Sequence, residues 1–470
     1  MKAQSRNTLR HLAELISQNK SYEEENLKLH EQIEELTNEI EKYKSFVSKY
    51  NLEKKEQATK KVKDSNVLKY KMATVLFADT QGFTKISEDM DSNQIVDSLD
   101  EIFLQLGDII NKHEIKNLRS IGDSLLCVGG IPQKNMTNPI QVVLAAVEMQ
   151  YFLNMIQKTY RNDRIWKLRV GIHTGSLIVN ISGSRKINYD VKGETVNLAT
   201  RIRSYCEKGD ILISESTYEL VKDLFQCEYY TRMPVKYKGD MLLYIVKGLK
   251  PDYSLQKKTI IPNRKYSIRF GLIQFTDLQE MMLNKLEKEL PAGLYYHNVK
   301  HTIDVVTQVE LIGFGEEVDD EELLILKTAA LFHDSGHILG YEDHERFSTI
   351  IAREILPDFY YTQAQIDKIC DLIFVTKMPP DPKTKLDEII CDADLDYLGR
   401  SDMIPVSNLL YRELKENNLI GSWNEWNRLQ IKFITNHQYF TKTALSLREV
   451  NKQKQIERIK MLLETKPEDE

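Results

Sequence analysis

The 470-residue chain reads as three successive parts: an N-terminal α-helical coiled coil, an α/β domain and an all-α domain. From Leu12 to Tyr50 a strict seven-residue register runs without Gly or Pro, the pattern of a supercoiled helix. Between Met72 and Lys250 strand-like and helix-like stretches alternate, as in α/β domains. From Phe275 to Leu463 the patterning is helical and short of strand signals. At about 150 residues per domain, the length supplies more than one core.

In the coil, Leu12, Asn19, Asn26, Ile33, Ile40 and Val47 occupy one seam position. Leu15, Tyr22, Leu29, Leu36, Tyr43 and Tyr50 occupy the other. Asn19 and Asn26 can satisfy each other across a two-fold axis, which favours a parallel homodimer in defined register. The alternative is an amphipathic helix packed on its own chain, which usually buries a wider stripe than this two-residue seam. Gln57 to Lys71 is a Lys-rich connector. Ala73 to Ala78 then reads as a buried strand, followed by a helix over Asn93 to His113, a strand before Gly122, a helix over Pro139 to Tyr160 and a strand over Leu168 to Ile172. Leu249 to Tyr253 and the polar run to Arg264 read as a linker. The expected boundaries are 1–60, 72–250, 251–274 for the linker, and 275–463, with a solvated tail.

Hydrophobic residues make up 41% and charged residues 29%, the balance of a folded globular chain. Lys and Arg total 64 against 70 Asp and Glu, a net charge of -6, so no basic surface for nucleic acid is expected. Apolar runs such as Val142 to Val147 and Leu323 to Leu326 fall short of the roughly 20 residues of a membrane span. The polar start, Met1 to Arg6, lacks the apolar core of a secretory signal, and a cytoplasmic location is expected. The 5 cysteines include no C-x-x-C pair and are expected to be reduced and packed.

Two acidic residues stand where strands end: Asp79 after Val75-Leu76-Phe77-Ala78, and Asp123 in Ile121-Gly122-Asp123. Such carboxylates are turn formers when alone, but in pairs they suit Mg²⁺ that is also held by substrate phosphates. Phe77 to Thr84, Ile121 to Asp123 and Asn188 to Arg201 together resemble the class III nucleotidyl cyclases, over roughly Met72 to Lys250. The resemblance implies a ferredoxin-like α/β fold. It also implies two Mg²⁺ (or Mn²⁺) ions on Asp79 and Asp123, with the Thr80 carbonyl as a further ligand. Asn197 and Arg201, four apart on one helix face, would orient the ribose and steady charge on the α-phosphate. Lys238 would grip the terminal phosphates.

Arg119 and Asp190 would read the purine. A donor beside an acceptor matches the N1 and N6 edge of adenine, which favours ATP over GTP. Adenylyl cyclases carry lysine where Arg119 stands, and guanylyl cyclases a glutamate and a cysteine for the pair. Family sites form between two cyclase domains, so one such domain implies a homodimer. No general base stands out, as phosphoryl transfer rests mainly on positioning and charge neutralisation.

Five of the 10 histidines lie between His297 and His344. The pairs His297/His301 and His333/His337, followed by Cys391-Asp392-Ala393-Asp394, suit a metal site of mixed nitrogen and oxygen ligands. From about Leu294 to Lys460 this pattern resembles the HD-domain phosphohydrolases, and Tyr296 to Val305 with Leu331 to His337 resembles their cyclic-nucleotide phosphodiesterase branch. The resemblance implies one or two divalent transition metals on His301, His333, Asp334 and Asp394, with Asp334 bridging. His297 would protonate the leaving 3′ oxygen, and His337 is a candidate near a second metal, with His344 a weaker one. Gln430 and His437 sit roughly where the family reads its purine, although Trp426 to Phe433 matches only loosely.

The expectation is a dimeric signalling enzyme that makes cyclic AMP from ATP and hydrolyses a phosphoester, a cyclic nucleotide above all, in its HD domain. Three alternatives stay open: an HD domain that only binds and regulates, guanylyl cyclase specificity, and a nucleotide-binding scaffold without turnover.

Overall fold

The computed structural model describes residues 67–80, 92–121, 124–160, 167–182, 188–255 and 260–465, with Lys28; for 92–101, 119–121, 157–160 and 464–465 only the backbone is described. The coiled-coil reading lies, but for Lys28, outside the described residues.

Eight strands form one sheet in the order β2-β3-β1-β4-β6-β8-β7, with β5 paired to β4. These are β1 (Val67–Thr80), β2 (Lys116–Ile121), β3 (Ser124–Gly129), β4 (Leu168–Ser182), β5 (Asn188–Lys192), β6 (Ile211–Ser214), β7 (Phe225–Val235) and β8 (Gly239–Leu249). Helices α1 (Ser92–Lys112), α2 (Asn138–Tyr160), α3 (Glu194–Ser204) and α4 (Glu215–Val221) interleave with them, the α/β arrangement that the alternation predicts. Strand β1 carries four consecutive buried residues, Ala73 to Leu76, because both faces of the sheet are covered there. Strand β4 outruns the expected Leu168 to Ile172; its first part pairs parallel with β6 through Val170 and Ile211.

The sheet brings α3 into very close contact with β4. A Cβ on Gly171 would lie 2.3 Å from the backbone nitrogen of Arg203 and 2.4 Å from the carbonyl oxygen of Ala199, so only glycine permits this approach. Beneath, a buried polar chain crosses the strands. The Thr74 hydroxyl donates to Asn138 (2.6 Å) and meets Thr174 (2.9 Å), which meets Thr217 (3.0 Å). Ser214 links Thr217 (3.0 Å) to Nδ1 of His173 (2.8 Å). Helix α2 is apolar enough to cross a membrane over Asn138–Ile156 (mean hydropathy 1.2), which the short apolar runs did not suggest. It is instead largely buried, with Ile140, Val142, Val143 and Met149 in the core of the α/β region.

Residues 260–465 hold helices only: α5 (Arg264–Glu289), α6 (Val299–Gly315), α7 (Asp320–Phe332), α8 (His344–Ile355), α9 (Gln363–Val375), α10 (Lys385–Asp394), α11 (Met403–Glu416), α12 (Trp423–Asn436) and α13 (Lys442–Thr465), with short 3₁₀ turns. Helix α5 begins at Arg264 and so occupies the second part, 264–274, of the stretch read as linker. Asn263 caps it by accepting from the Tyr266 backbone (3.1 Å). Tyr266, Phe270 and Ile273, at helical spacing, pack on the α/β core, whereas Phe275, Leu278 and Met282 belong to the helical core. The sequence around it is polar, and that polarity hid the stripe.

Two candidate active sites

On the α/β side, Asp79 is the penultimate residue of β1 and is 7% exposed. Arg169 holds it with two parallel bonds, Nε to Oδ1 at 3.0 Å and Nη2 to Oδ2 at 2.6 Å, and Arg203 adds Nη1 to Oδ2 at 3.0 Å. Arg203 also lies over the Phe77 ring, 5.1 Å from its centroid. The neighbouring Thr80 is buried. Asp79 pairs with Ser124, the residue after Asp123; Asp123 itself lies outside the described residues. Arg119 is placed in β2 by its backbone, opposite Leu126. Asp190, half-buried, lies in β5.

Asn197 and Arg201 share an exposed face of α3, and Arg201 donates to the Pro234 carbonyl at 2.8 Å. Lys238, exposed beyond β7, pairs with Glu194 at 2.5 Å. Arg203, which reaches Asp79, is two residues past Arg201, or about 200° round the helix. Within one chain, Asn197 and Arg201 therefore turn away from Asp79. In this arrangement Asp79 is not a ready cation cradle either: a cation seated on it would have to displace a guanidinium.

On the helical side the expected ligands converge. Asn298 caps α6 by accepting from the backbone of Lys300 (2.8 Å) and His301 (3.3 Å), which sets His301 one turn in. His333 closes α7, where its Nδ1 donates to the Ala330 carbonyl at 2.8 Å. Because a carbonyl only accepts, the neutral ring presents a lone pair at Nε2. That Nε2 lies 3.3 Å from Nε2 of His301, 3.1 Å from Oδ2 of Asp334 and 3.5 Å from Oδ1 of Asp394. His301 is 3.3 Å from Asp334 and 3.1 Å from Asp394. One ligand atom each from His301, His333 and Asp394 lies within 4.8 Å of the others, and His297, Asp334 and His337 form a second such group.

Burial opposes charge here, but the carboxylates outweigh it. It would lower His301, which Asp334 and Asp394 instead raise to about 8. It would raise Asp334, which the histidines hold well below the usual range. Both ring nitrogens of His337 are buried without a partner, and burial pushes this imidazole down to about 3. Imidazoles set against ionised carboxylates, with the orphaned nitrogens of His337 beside them, are a donor set that fits a divalent transition metal, whose charge would take the place of the protons the carboxylates favour on His301 and His333.

The turn His333-Asp334-Ser335-Gly336-His337 is held against α8. Gly336 donates to Ser348 Oγ (2.8 Å), and Ser348 donates to the His333 carbonyl (2.6 Å). A Cβ on Gly336 would lie 1.8 Å from the His344 carbonyl oxygen, so this position excludes any other residue. His344 comes within 3.5 Å of Asp334. His297 is steered by Glu413 of α11, a fully buried carboxylate that bonds His297 Nδ1 and also accepts from the backbone of Tyr296 (2.8 Å) and His297 (3.1 Å).

A cavity of about 660 Å³ opens beside His297, Asp334 and Asp394, walled by apolar side chains including Leu410, Met403 and Phe433. Gln430 lines it with an unpartnered Oε1, whereas His437 is not among its lining residues and packs on Tyr439 instead. Asp392 faces elsewhere, accepting from Phe440 and Thr441. Three residues that the sequence reading missed thus belong to these sites: Arg169, Arg203 and Glu413. Only their contacts reveal them, since Glu413 lies 116 residues from His297 in sequence.

Comparison with known proteins divides the chain in the same way. Residues 66–248 match the adenylate and guanylate cyclase catalytic domain family, and residues 298–396 match the HD domain family. The chain is 31% identical over 182 residues to an adenylate cyclase of Mycobacterium tuberculosis, covering 39% of this chain and 41% of the relative. It is 29% identical over 198 residues to the receptor-type guanylate cyclase gcy-23 of Caenorhabditis elegans, covering 40% and 18%. The chain thus spans less than half the length of these curated relatives. Among solved structures, the adenylyl cyclase CyaB from P. aeruginosa has 27% identity and a TM-score of 0.36, covering 39% of this chain and 96% of that one. The guanylyl cyclase Cya2 has 28% identity and a TM-score of 0.37, covering 41% and 99%.

Proposed function

We propose that the chain is an ATP-cyclising enzyme whose active site forms between two copies, joined to an HD domain that hydrolyses a cyclic mononucleotide. The observation that carries the first half is the opposition across α3: Arg203 faces Asp79 while Asn197 and Arg201 face solvent. A second copy can bring its Asn197 and Arg201 to the first copy's Asp79. In such a site the ribose 3′ oxygen attacks the α-phosphorus and pyrophosphate leaves. Asn197 orients the ribose, Arg201 neutralises the growing charge, and Lys238, released from Glu194, takes the terminal phosphates. Arg119 and Asp190 would supply the donor and the acceptor that suit adenine. Because the relatives include both adenylate and guanylate cyclases, GTP is the second reading.

For the second half, His297 lines the cavity with Glu413 fixing its Nδ1, which leaves Nε2 to carry the proton. A divalent metal held by His301, His333, Asp334 and Asp394 supplies Lewis-acid activation when bound. Water adds to phosphorus, the bond to the 3′ oxygen breaks, and His297 delivers a proton to that oxygen, giving the 5′-monophosphate. The apolar walls take the purine, and Gln430 offers it an amide. This volume falls within the range of small-molecule sites.

A time course with ATP or GTP, resolving cyclic from linear monophosphates, tests both halves beside His333→Ala. Cyclic AMP should rise and decay to AMP with the wild type and persist with the variant. Equal accumulation in both would remove the hydrolase and leave a regulatory HD domain. No cyclic product from either would remove the cyclase.

A further inference from the structure

A second cavity, of about 930 Å³, shares no lining residue with either candidate site. Its walls come from the end of α1 and the start of α2 on one side, the first half of α5 beneath, and the start of α7 with the first turns of α9 and the segment before it on the other. Gln274 of α5 lines it while only 8% exposed, and its carboxamide has no hydrogen-bond partner among the described residues. Its polar atoms are open to the cavity, where their hydrogen-bonding capacity is left for a ligand. The Tyr266 hydroxyl, on the same helix wall, is likewise unpartnered, and Gln141 lines the opposite wall at 7% exposure.

The lining chemistry selects a ligand class. A carboxamide presents a donor beside an acceptor, the complement of an adenine edge. Tyr360 is 51% exposed and meets Phe270 edge to face at 6.3 Å, offering a π-surface on which a base can stack. Three cations, Lys112, Arg264 and Lys368, are matched by three carboxylates, Asp319, Glu321 and Glu322. This balance opposes a triphosphate and admits a ligand with one negative charge or none.

We propose that this junction cavity binds an adenine-bearing ligand of low charge, adenosine or cyclic AMP. The bound ligand would touch α2 of the α/β region, α5, and Tyr360 of the helical region at once. It would therefore link the state of one catalytic region to the other. Identifying the ligand as the chain's own product rests on the proposed cyclase activity; the binding itself does not.

Photolabelling of the full chain with 8-azidoadenosine, followed by peptide mapping, tests this without reference to turnover. Label is expected on peptides carrying Tyr266 or Tyr360, and competition by adenosine against cyclic AMP shows which source binds more tightly. Gln274→Leu should reduce that label about tenfold, as loss of a buried hydrogen-bonding group does. It should not lower the melting temperature of the unliganded protein, because the amide bonds nothing there. Tyr360→Ala, at an exposed ring, gives the same readout should Gln274→Leu fail to fold. Label confined to the Gln430 cavity, label unchanged in both variants, or equal competition by guanosine would overturn the proposal. A chain that binds adenosine here yet forms no cyclic product would sink the cyclase reading alone.

Discussion

Glu413 acts on the proposed hydrolysis without touching substrate. Its buried carboxylate bonds Nδ1 of His297 and so fixes the ring that would face the leaving oxygen. Exchange for glutamine keeps the shape and removes the charge, so Glu413→Gln should lower kcat for cyclic nucleotide hydrolysis about 10²-fold, with KM little changed. A loss confined to KM would assign Glu413 to substrate binding. His173 supplies a second test at this scale. Burial holds its imidazole down to about 4, against 6.5 for the free group. Between those values the unfolded chain binds the extra proton, so this group's contribution is full above pH 6.5 and is lost as pH falls toward 4. The loss amounts to about 3 kcal/mol in all. Urea unfolding at pH 7 and pH 5 should show the slope, and His173→Gln should flatten it.

At the scale of elements, the turn after α7 concentrates the helical site in five residues, and its glycine lies against α8. Gly336→Ala should destabilise the helical region by about 3 kcal/mol and abolish metal binding, measured by denaturation and by direct metal titration. Retention of both would mean that α8 can shift outward at little cost. This site was legible because its ligands sit in short words, His297 to His301 and His333 to His337, with Asp394 at a helix end. The strands of the α/β region were legible for a similar reason, as buried runs such as Ala73 to Ala78 stand out. Helix α5 was not, since its apolar positions alternate between two different cores and are diluted by Arg, Lys and Gln. Glu413 and Arg203 were illegible for another reason: each lies on an ordinary amphipathic helix, and only tertiary packing gives it a partner.

For the whole molecule, the decisive question is whether two chains complete each other. Asp79→Ala and Asn197→Ala should each abolish cyclisation alone. Mixed in equal amounts, they should recover about 25% of the wild-type rate, because half the dimers are mixed and each of these holds one intact site of two. No recovery on mixing, with dimers verified by light scattering, would place the whole site within a single chain. The carboxylate-to-guanidinium cluster at Asp79 would then have to open within that chain to admit Arg201.

Helix α5 passes from one core into the other without a break. The two regions therefore cannot pivot on a slack tether, and whatever turns one about the helix axis turns the other. A helix advances about 1.5 Å and rotates about 100° per residue. Their mutual bearing is thus set by residue count, in the way that the phase of a screw is set by its thread.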